Sequence, residues 1–311
     1  MEITPRVHDL PVKLEWFPQP YSPNVHLVMD GGEGALIDAG FADEQSLAAR
    51  LAYLKDLPGL RLRYIVLTHH HYDHSSAAHR LREATGARIV MHRLEEPLIR
   101  EVAGDLPRDL PGEARFFREE AARAVPDEVV DDGDTLRVGG VTLRMVHTPG
   151  HTAGHICPFL EEERVLFAGD NVQGLGTTAI PPPPHGDMAT YIDSLRKMQS
   201  LDAALICCGH GPIVREPNRK LQELIDHRRE RDEQILTLIA EGKNTLKRIV
   251  RAIYPELDRH LLGMATGQIL SHLHKLEHEG KVKMRVEGDE TYVELQEFPS
   301  TSLDPTPQPP L

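Results

Sequence analysis

The sequence contains the stretch Thr68-His69-His70-His71-Tyr72-Asp73-His74, which places four histidines and one carboxylate within seven residues. Such groups are costly to bury unless each has a partner, and a metal ion is the simplest partner that a whole cluster can share. The stretch follows the apolar run 64–67 and precedes a helical pattern from Ser75 to Thr85 that stops at Gly86. We therefore predict a loop at the carboxyl end of a strand, where layered α/β proteins bind ligands.

Other predicted strand-to-loop junctions carry further donors of the same kind. Together with the first cluster they give five histidines and two aspartates, namely His69, His71, Asp73, His74, His151, Asp170 and His210. Seven nitrogen and oxygen donors are too many for one tetrahedral zinc and suit two metal ions, about 3.5–4 Å apart, that share a carboxylate. Side chains alternate in an extended segment, so His69 and His71 point the same way and His70 is predicted not to be a ligand.

Four residues near these motifs have two interpretations each. Asp38 ends an apolar strand and either forms a turn or steadies a metal ligand. His147 and His155 flank the His151 motif and either support a ligand or are ordinary hydrogen-bonded histidines. Cys208 lies near His210 in sequence and is either a ligand or, as we predict, a small residue in a buried strand.

Composition favours an ordinary soluble protein with more than one domain. The chain has 311 residues, 40% hydrophobic and 27% charged. No apolar run approaches the roughly 20 residues of a membrane helix, so no membrane partner is expected. The N-terminal residues lack the apolar core of a secretory signal, and two of the three cysteines are adjacent, so no disulfide framework is expected. These features predict a cytoplasmic location.

The charge pattern bears on nucleic-acid binding. A formal net charge of −13 argues against a surface that attracts phosphates as a whole, and 5% aromatic residues argue against a long base-stacking groove. Between Lys243 and Arg285, however, nine lysines and arginines stand against four acidic residues. That local excess suits phosphates but disappears when the range is extended to Glu297.

The composition of the sequence changes after Pro217, where a long helical pattern rich in charged residues begins. Two shorter helices and a hairpin around Gly288 follow, which is the order of a winged helix. We predict a catalytic domain at 1–213, a connecting helix at 214–241, a winged-helix domain at 242–297 and a disordered tail at 298–311. The winged helix has two interpretations: it contacts nucleic acid, or it packs on the catalytic domain or mediates a homodimer.

The pattern His69-x-His71-x-Asp73-His74, followed in order by His151, Asp170 and His210, resembles the metallo-β-lactamase superfamily. The resemblance implies an α/β (α+β) fold, a four-layer αββα sandwich over residues 1–213. It also implies the site, in which His69, His71 and His151 hold one metal ion and Asp73, His74 and His210 hold the other. Asp170 then bridges the two, and Asp73 and Asp170 are the predicted catalytic residues. Asp38 falls where the superfamily has a supporting Asp-x-Gly.

The C-terminal part is similar to one branch, the endoribonuclease β-lactamase-like protein 2. The motifs that carry this resemblance are Gly174-x-Gly176-Thr177-Thr178, His227-Arg228 and the segment from His272 to Lys281. The chain departs from the branch in three places. Ser75-Ser76 replaces a common Gly-Gly, Cys208 replaces a proline, and prolines 181–184 resemble an insertion.

The resemblance implies a hydrolase that uses two Zn²⁺ ions per chain and a metal-bridging hydroxide, although the same donors also suit Mn²⁺ or Fe²⁺. The first expectation is hydrolysis of phosphodiester bonds in single-stranded RNA. The alternative is a small-molecule hydrolase of thioesters, lactones or related esters, similar to hydroxyacylglutathione hydrolases, with residual β-lactamase activity at most. A third reading, a transcription regulator that senses a metabolite, does not explain a complete seven-donor set.

Overall fold

A computed structural model describes residues 1–10, 22–102, 104 and 112–296. The chain separates into two compact units, Met1–Arg229 and a second that begins at Glu230, within the predicted connecting helix. The predicted tail at 298–311 lies outside the described residues. None of the helices in the described ranges has both the length and the apolar character that crossing a membrane requires.

The first unit is built on two β-sheets. The first sheet has seven strands that neighbour each other in chain order, antiparallel up to the fourth and parallel after it. They are β1 (Glu2–Thr4), β2 (Val7–Leu10), β3 (Val25–Asp30), β4 (Glu33–Ile37), β5 (Arg61–Val66), β6 (Arg88–His92) and β7 (Glu128–Val130).

The second sheet has five strands, of which the last two in the chain pair in parallel, while all other neighbours are antiparallel. They are β8 (Thr135–Val138), β9 (Val141–His147), β10 (Ile156–Leu160), β11 (Val165–Phe167) and β12 (Leu205–Cys207). The helices of the unit are α1 (Glu44–Lys55), α2 (Tyr72–Ser75), α3 (Ala78–Thr85), α4 (Glu96–Glu101), α5 (Gly112–Ala122), α6 (Met188–Ser200) and the start of α7 (Pro217–Ala240).

Three apolar cores stack these elements into four layers. The first core packs α1, α3 and α5 on one face of the first sheet through residues such as Leu47, Leu81 and Phe117. The second core lies between the two sheets, and the third packs α6 and the start of α7 on the outer face of the second sheet. Strands buried on both faces read as continuous apolar runs, as 64–67 does. The predicted αββα sandwich is confirmed.

The predicted helix from Ser75 to Thr85 is wrong in one respect, because it is interrupted. Asp73 and His74 lie on the one-turn helix α2, not on a loop, and α3 starts only at Ala78. The backbone N–H of Ala77 donates to Gly40 O at 3.0 Å instead of continuing the helix. Ser76 Oγ also contacts this segment, at 3.3 Å from Gly40 O. The segment that follows β4 therefore breaks the helix and fixes the direction of α2.

The second unit has the predicted winged-helix order. Its elements are α8 (Leu246–Ile253), α9 (Leu262–His278), β13 (Val282–Glu287) and β14 (Glu290–Leu295). The two strands pair as an antiparallel hairpin around Gly288, and Val293 N donates to Asn244 O at 2.9 Å. Ile235 and Ile239, from the end of α7, belong to the core of this unit. Thr245 caps α8 by accepting from Arg248 N.

Candidate metal centre

The seven predicted donors converge from the ends of strands in both sheets. His69 and His71 follow β5, and Asp73 and His74 lie on α2 just beyond them. From the second sheet, His151 lies between β9 and β10, Asp170 follows β11 and His210 follows β12. The atoms fall into two groups, His69, His71, His151 with Asp170, and Asp73, His74 with His210, and within each group the atoms lie within 4.8 Å of one another.

The first group is a set of facing imidazoles. His71 Nδ1 is 2.9 Å from His69 Nε2 and 3.0 Å from His151 Nε2. Burial, reinforced by the neighbouring histidines, lowers the pKa of His71 to about 3 and that of His69 well below its ordinary value. These rings are therefore neutral at pH 7, which is the form in which imidazole binds a metal ion.

The second group combines two imidazoles with carboxylates. The Nε2 atoms of His74 and His210 are 3.2 Å apart, and Asp73 Oδ2 is 3.6 and 3.4 Å from them. Burial lowers the pKa of His210, but Asp170 and Asp73 outweigh it and raise that pKa to about 10. The pKa of His74 is likewise raised well above its ordinary value by carboxylates that overcome burial. Metal uptake here must release protons.

Asp170 lies between the two groups. Its Oδ2 is 3.4 Å from His151 Nε2, whereas its Oδ1 is 3.2 Å from both His74 Nε2 and His210 Nε2. Despite these short distances, Oδ1 is buried and no described residue donates an aligned hydrogen bond to it. A buried carboxylate oxygen that faces two imidazole nitrogens without an aligned hydrogen bond is typical of a metal donor. The residues therefore fit a pair of metal ions with Asp170 between them.

Hydrogen bonds on the far side of the imidazole rings fix which nitrogen faces the centre. His69 Nδ1 lies 3.0 Å from Thr68 Oγ1, and His151 Nδ1 donates to Ala179 O at 2.9 Å. His74 Nδ1 donates to Asp38 Oδ2 at 2.9 Å. In each case Nε2 is left for the centre, as in the supporting shell of known metal sites.

Asp38 is a supporting residue, which decides between its two interpretations. Besides His74, it accepts from the backbone N–H of Thr68 at 2.8 Å and from Thr68 Oγ1 at 3.0 Å. Its backbone is in the left-handed region, with φ of 60°. That conformation is costly for a residue other than glycine and aspartate tolerates it better than most. One side chain thus orients the start of the histidine stretch and a member of the second group.

Glu95 is a functional residue that the sequence did not reveal. It is fully buried, and its Oε2 accepts from the backbone N–H of His70 at 2.8 Å and contacts His70 Nδ1 at 2.6 Å. Its Oε1 accepts from Thr152 Oγ1 at 2.6 Å and from Gly154 N at 2.8 Å. Burial raises the pKa of Glu95, but these donors, His70 above all, lower it to about 2. The carboxylate ties the loop of His69 and His71 to the loop of His151.

The two histidines that flank His151 have different environments. His155 is buried, and its Nε2 accepts from the backbone N–H of Asp170 at 3.2 Å. Burial lowers the pKa of His155 to about 3, which keeps the ring neutral for this contact. His147 instead stacks on His92 with ring centroids 4.1 Å apart. His155 therefore positions the backbone of Asp170, and His147 has no contact with the seven predicted donors among the described residues.

Cys208 directly follows β12 rather than lying within it, and its side chain is buried as predicted. Burial raises the pKa of its thiol to about 12, so the group is neutral at pH 7. Neither metal-donor group of the described residues includes it.

A cavity of about 480 Å³ opens beside the donors. Its walls include His71 and Asp73 from the two groups, together with Tyr72, Leu98 and Arg118. A substrate in this space would lie directly against the exposed part of the centre.

The sequence profile of the metallo-β-lactamase superfamily matches residues 18–210, and that of the β-lactamase-associated winged helix domain matches residues 245–290. The chain belongs to the metallo-β-lactamase superfamily and is a hydrolase of that superfamily with a C-terminal winged helix.

The chain is also similar to individual proteins of known name. It is 31% identical over 219 residues to a β-lactamase-like protein 2 homolog of Caenorhabditis elegans, a match that covers 70% of this chain and 65% of that protein. It is 29% identical over 253 residues to an atrochrysone carboxyl ACP thioesterase of Aspergillus fumigatus, covering 75% and 69% of the two chains. The crystal structure of a metallo-β-lactamase family protein from Thermus thermophilus superposes with a TM-score of 0.75 at 24% identity, covering 95% of this chain and 100% of that one.

Proposed function

We propose that this chain is a dinuclear metal-dependent hydrolase whose substrates are thioesters or related carboxylic esters. The observation that carries the dinuclear part is Asp170, whose two oxygens face different donor groups, one at 3.4 Å and the other at 3.2 Å. When bound, two divalent ions would activate water near neutral pH and polarise the oxygen of the bond to be cleaved. Zinc is the first choice for these donors, and Mn²⁺ or Fe²⁺ are alternatives.

The protein groups at the centre support hydrolysis in defined ways. Burial raises the pKa of Asp73, but the adjacent His74 and His210 lower it to about 2, so its side chain is a carboxylate at pH 7. Because Asp73 also lines the cavity, it is placed to accept a proton from the attacking water and return it to the leaving group. Glu95 and Asp38 fix the positions of the loops that carry the donors through hydrogen bonds. Leu98 gives the cavity an apolar wall.

Two observations support thioesters and esters over RNA. One relative with substantial coverage is named as an ACP thioesterase. In addition, five of the nine basic residues between 243 and 285 form ion pairs with acidic side chains, which removes most of the local positive charge. The five are Lys243, Lys247, Lys275, Lys281 and Arg285. Together with the net charge of −13, this leaves little of the electrostatic attraction on which RNA binding depends.

Cleavage of single-stranded RNA is the second candidate. It is favoured by the sequence motifs that resemble the endoribonuclease branch and by the match of residues 245–290 to the β-lactamase-associated winged helix domain. The same donor groups would serve a phosphodiester, since activated water and a polarised oxygen are required in both reactions. In that case the winged helix would bind the RNA phosphates through basic residues outside the ion pairs, such as Arg248 and Arg251.

An activity panel distinguishes the candidates. The protein is reconstituted separately with Zn²⁺, Mn²⁺ and Fe²⁺ and assayed on an acyl thioester, a carboxylic ester, a lactone, an RNA oligonucleotide and a β-lactam, with Asp73→Ala as the control. We expect the highest kcat/KM on the thioester or ester and loss of that activity in the control. Efficient RNA cleavage with negligible thioester hydrolysis would replace the first candidate by the second.

A further inference from the structure

We propose that Arg118 binds an anionic group of the substrate, so that the preferred thioesters and esters carry a carboxylate or a phosphate away from the bond that is cleaved. This inference rests on the proposed function for its substrate class. It concerns a wall of the cavity that is formed by residues other than the seven predicted metal donors.

Helix α5 presents Arg118 to the cavity. The preceding residue, Phe117, is buried and packs against Phe41 with ring centroids 4.8 Å apart, which anchors the helix. The guanidinium carbon of Arg118 lies 5.3 Å from the centre of the Tyr72 ring. Tyr72 directly precedes Asp73, so the stacked pair joins the wall of the cavity to the second donor group. The position of the cation is therefore defined by the anchored helix and by the Tyr72 ring.

Among the described residues, Arg118 has no carboxylate partner. Its Nε is buried without a hydrogen-bond partner. Two carboxylates line the same cavity, Asp73 and Glu101. Asp73 faces His74 and His210 at 3.6 and 3.4 Å, and Glu101 is exposed at the end of α4. A half-buried guanidinium without an acceptor is costly, and a bound anion supplies what it lacks.

The chemistry of the guanidinium selects the ligand. Its planar array of donors matches the oxygens of a carboxylate or phosphate, and stacking on an aromatic ring leaves the edge of that plane available. A substrate in the cavity can contact Asp73 with its reacting end while an anionic group elsewhere reaches Arg118, since both residues line one space. The anion could belong to the acyl part, as in a dicarboxylic thioester, or to the leaving group, as in a phosphorylated thiol.

The test uses three thioesters with the metal-reconstituted full chain: hexanoyl-pantetheine, adipyl-pantetheine and hexanoyl-4′-phosphopantetheine. The second adds a carboxylate to the acyl part, and the third adds a phosphate to the leaving group. The variants are Arg118→Gln and Arg118→Lys. Arg123→Gln is the matched control, because Arg123 follows the same helix but is paired with Glu120 at 2.7 Å and is largely exposed.

We expect the wild type to prefer one of the two anionic substrates, and the preferred one identifies the source of the anion. Arg118→Gln should raise the KM for that substrate roughly tenfold or more, which corresponds to the loss of one charge-assisted contact. The KM for hexanoyl-pantetheine should stay within about twofold of the wild-type value. Arg118→Lys should restore part of the preference, and Arg123→Gln should leave it unchanged. If Arg118→Gln affects charged and neutral substrates equally, or neither, the proposal is overturned.

A binding measurement separates this proposal from the proposed function. Calorimetric titration of the same proteins with adipate and with inorganic phosphate requires no turnover. If no thioester is hydrolysed but one anion binds the wild type at least several-fold tighter than Arg118→Gln, the assigned reaction is wrong and the anion site stands. If thioesters are hydrolysed while anion binding and substrate preference are unaffected by Arg118→Gln, the reaction stands and the anion site does not.

Discussion

A single oxygen of Glu95 contacts His70 twice, at 2.8 Å from the backbone nitrogen and 2.6 Å from Nδ1. His70 is the histidine of the opening stretch whose side chain points away from the donor groups. By engaging it from behind, Glu95 determines the path of the backbone on which His69 and His71 are displayed. The remaining oxygen of Glu95 does the same for the loop of His151.

Replacing Glu95 by glutamine should weaken metal binding and stability together. The amide cannot accept from all the donors that the carboxylate satisfies, so at least one buried donor loses its partner, at about 1–3 kcal/mol. Disturbed supporting contacts typically cost 10–100-fold in metal affinity. Chelator competition and urea unfolding measure the two effects. Glu96→Gln is the control, because Glu96 forms only a surface pair with Arg100. Wild-type affinity in Glu95→Gln would contradict the role assigned to this carboxylate.

Replacing Asp38 by asparagine should weaken the second group more than the first, because Asp38 contacts His74 directly but reaches His69 only through Thr68. Asparagine tolerates the left-handed backbone at this position but replaces a carboxylate that accepts from His74 with a neutral amide. We expect the affinity for the metal ion at the second group to fall roughly 10–100-fold and the affinity at the first group to fall less. Two-step metal titration by calorimetry checks this. Asp43→Asn, which keeps an equivalent cap on α1, should titrate like the wild type.

Asp170 and Asp73 should differ in how much metal their loss removes. Asp170 contacts members of both groups, whereas Asp73 contacts only the second. Asp170→Asn is therefore expected to lower occupancy at both positions, and Asp73→Asn at one. Elemental analysis after dialysis gives the metal content per chain. Full activity of Asp170→Asn with less than one ion per chain would exclude the dinuclear arrangement.

His26 should make stability depend on pH at a distance from the metal donors in sequence. Burial lowers its pKa from 6.5 to about 4. Between these pH values the unfolded chain binds a proton at His26 that the folded chain does not bind. The contribution of neutral His26 to the free energy of unfolding is therefore fully present above pH 6.5 and is lost as the pH falls toward 4. The loss amounts to about 3 kcal/mol over that interval. Urea unfolding at several pH values should show a flatter profile for His26→Gln, and parallel profiles would rule the effect out.

Local pattern was enough to predict most of the centre. His69 and His71 are two apart on an extended segment, and His151, Asp170 and His210 each follow a recognisable strand, so their convergence follows from where strand ends meet. The helix boundaries within the stretch were not predictable in the same way. The break between α2 and α3 depends on Gly40, which lies 36 residues before Ser76.

Glu95 was missed for a related reason. Its partners are 25, 57 and 59 residues away along the chain, and its own neighbourhood reads as an ordinary charged surface segment. A buried carboxylate of this kind is recognisable only when the fold has brought its donors together. Asp38 could be proposed from sequence because it ends an apolar strand, but its contact with His74 required the structure.

The separation of the donors along the chain has a consequence for protein synthesis. His74 and His210 face each other at 3.2 Å but are 136 residues apart in sequence. While the ribosome is still making the second sheet, the histidines after β5 have already emerged without their later partners. Contacts this distant close late in folding. The contact between His74 and His210 therefore cannot form until translation has passed residue 210, whereas the contact between His74 and Asp38 joins residues that have both been made long before.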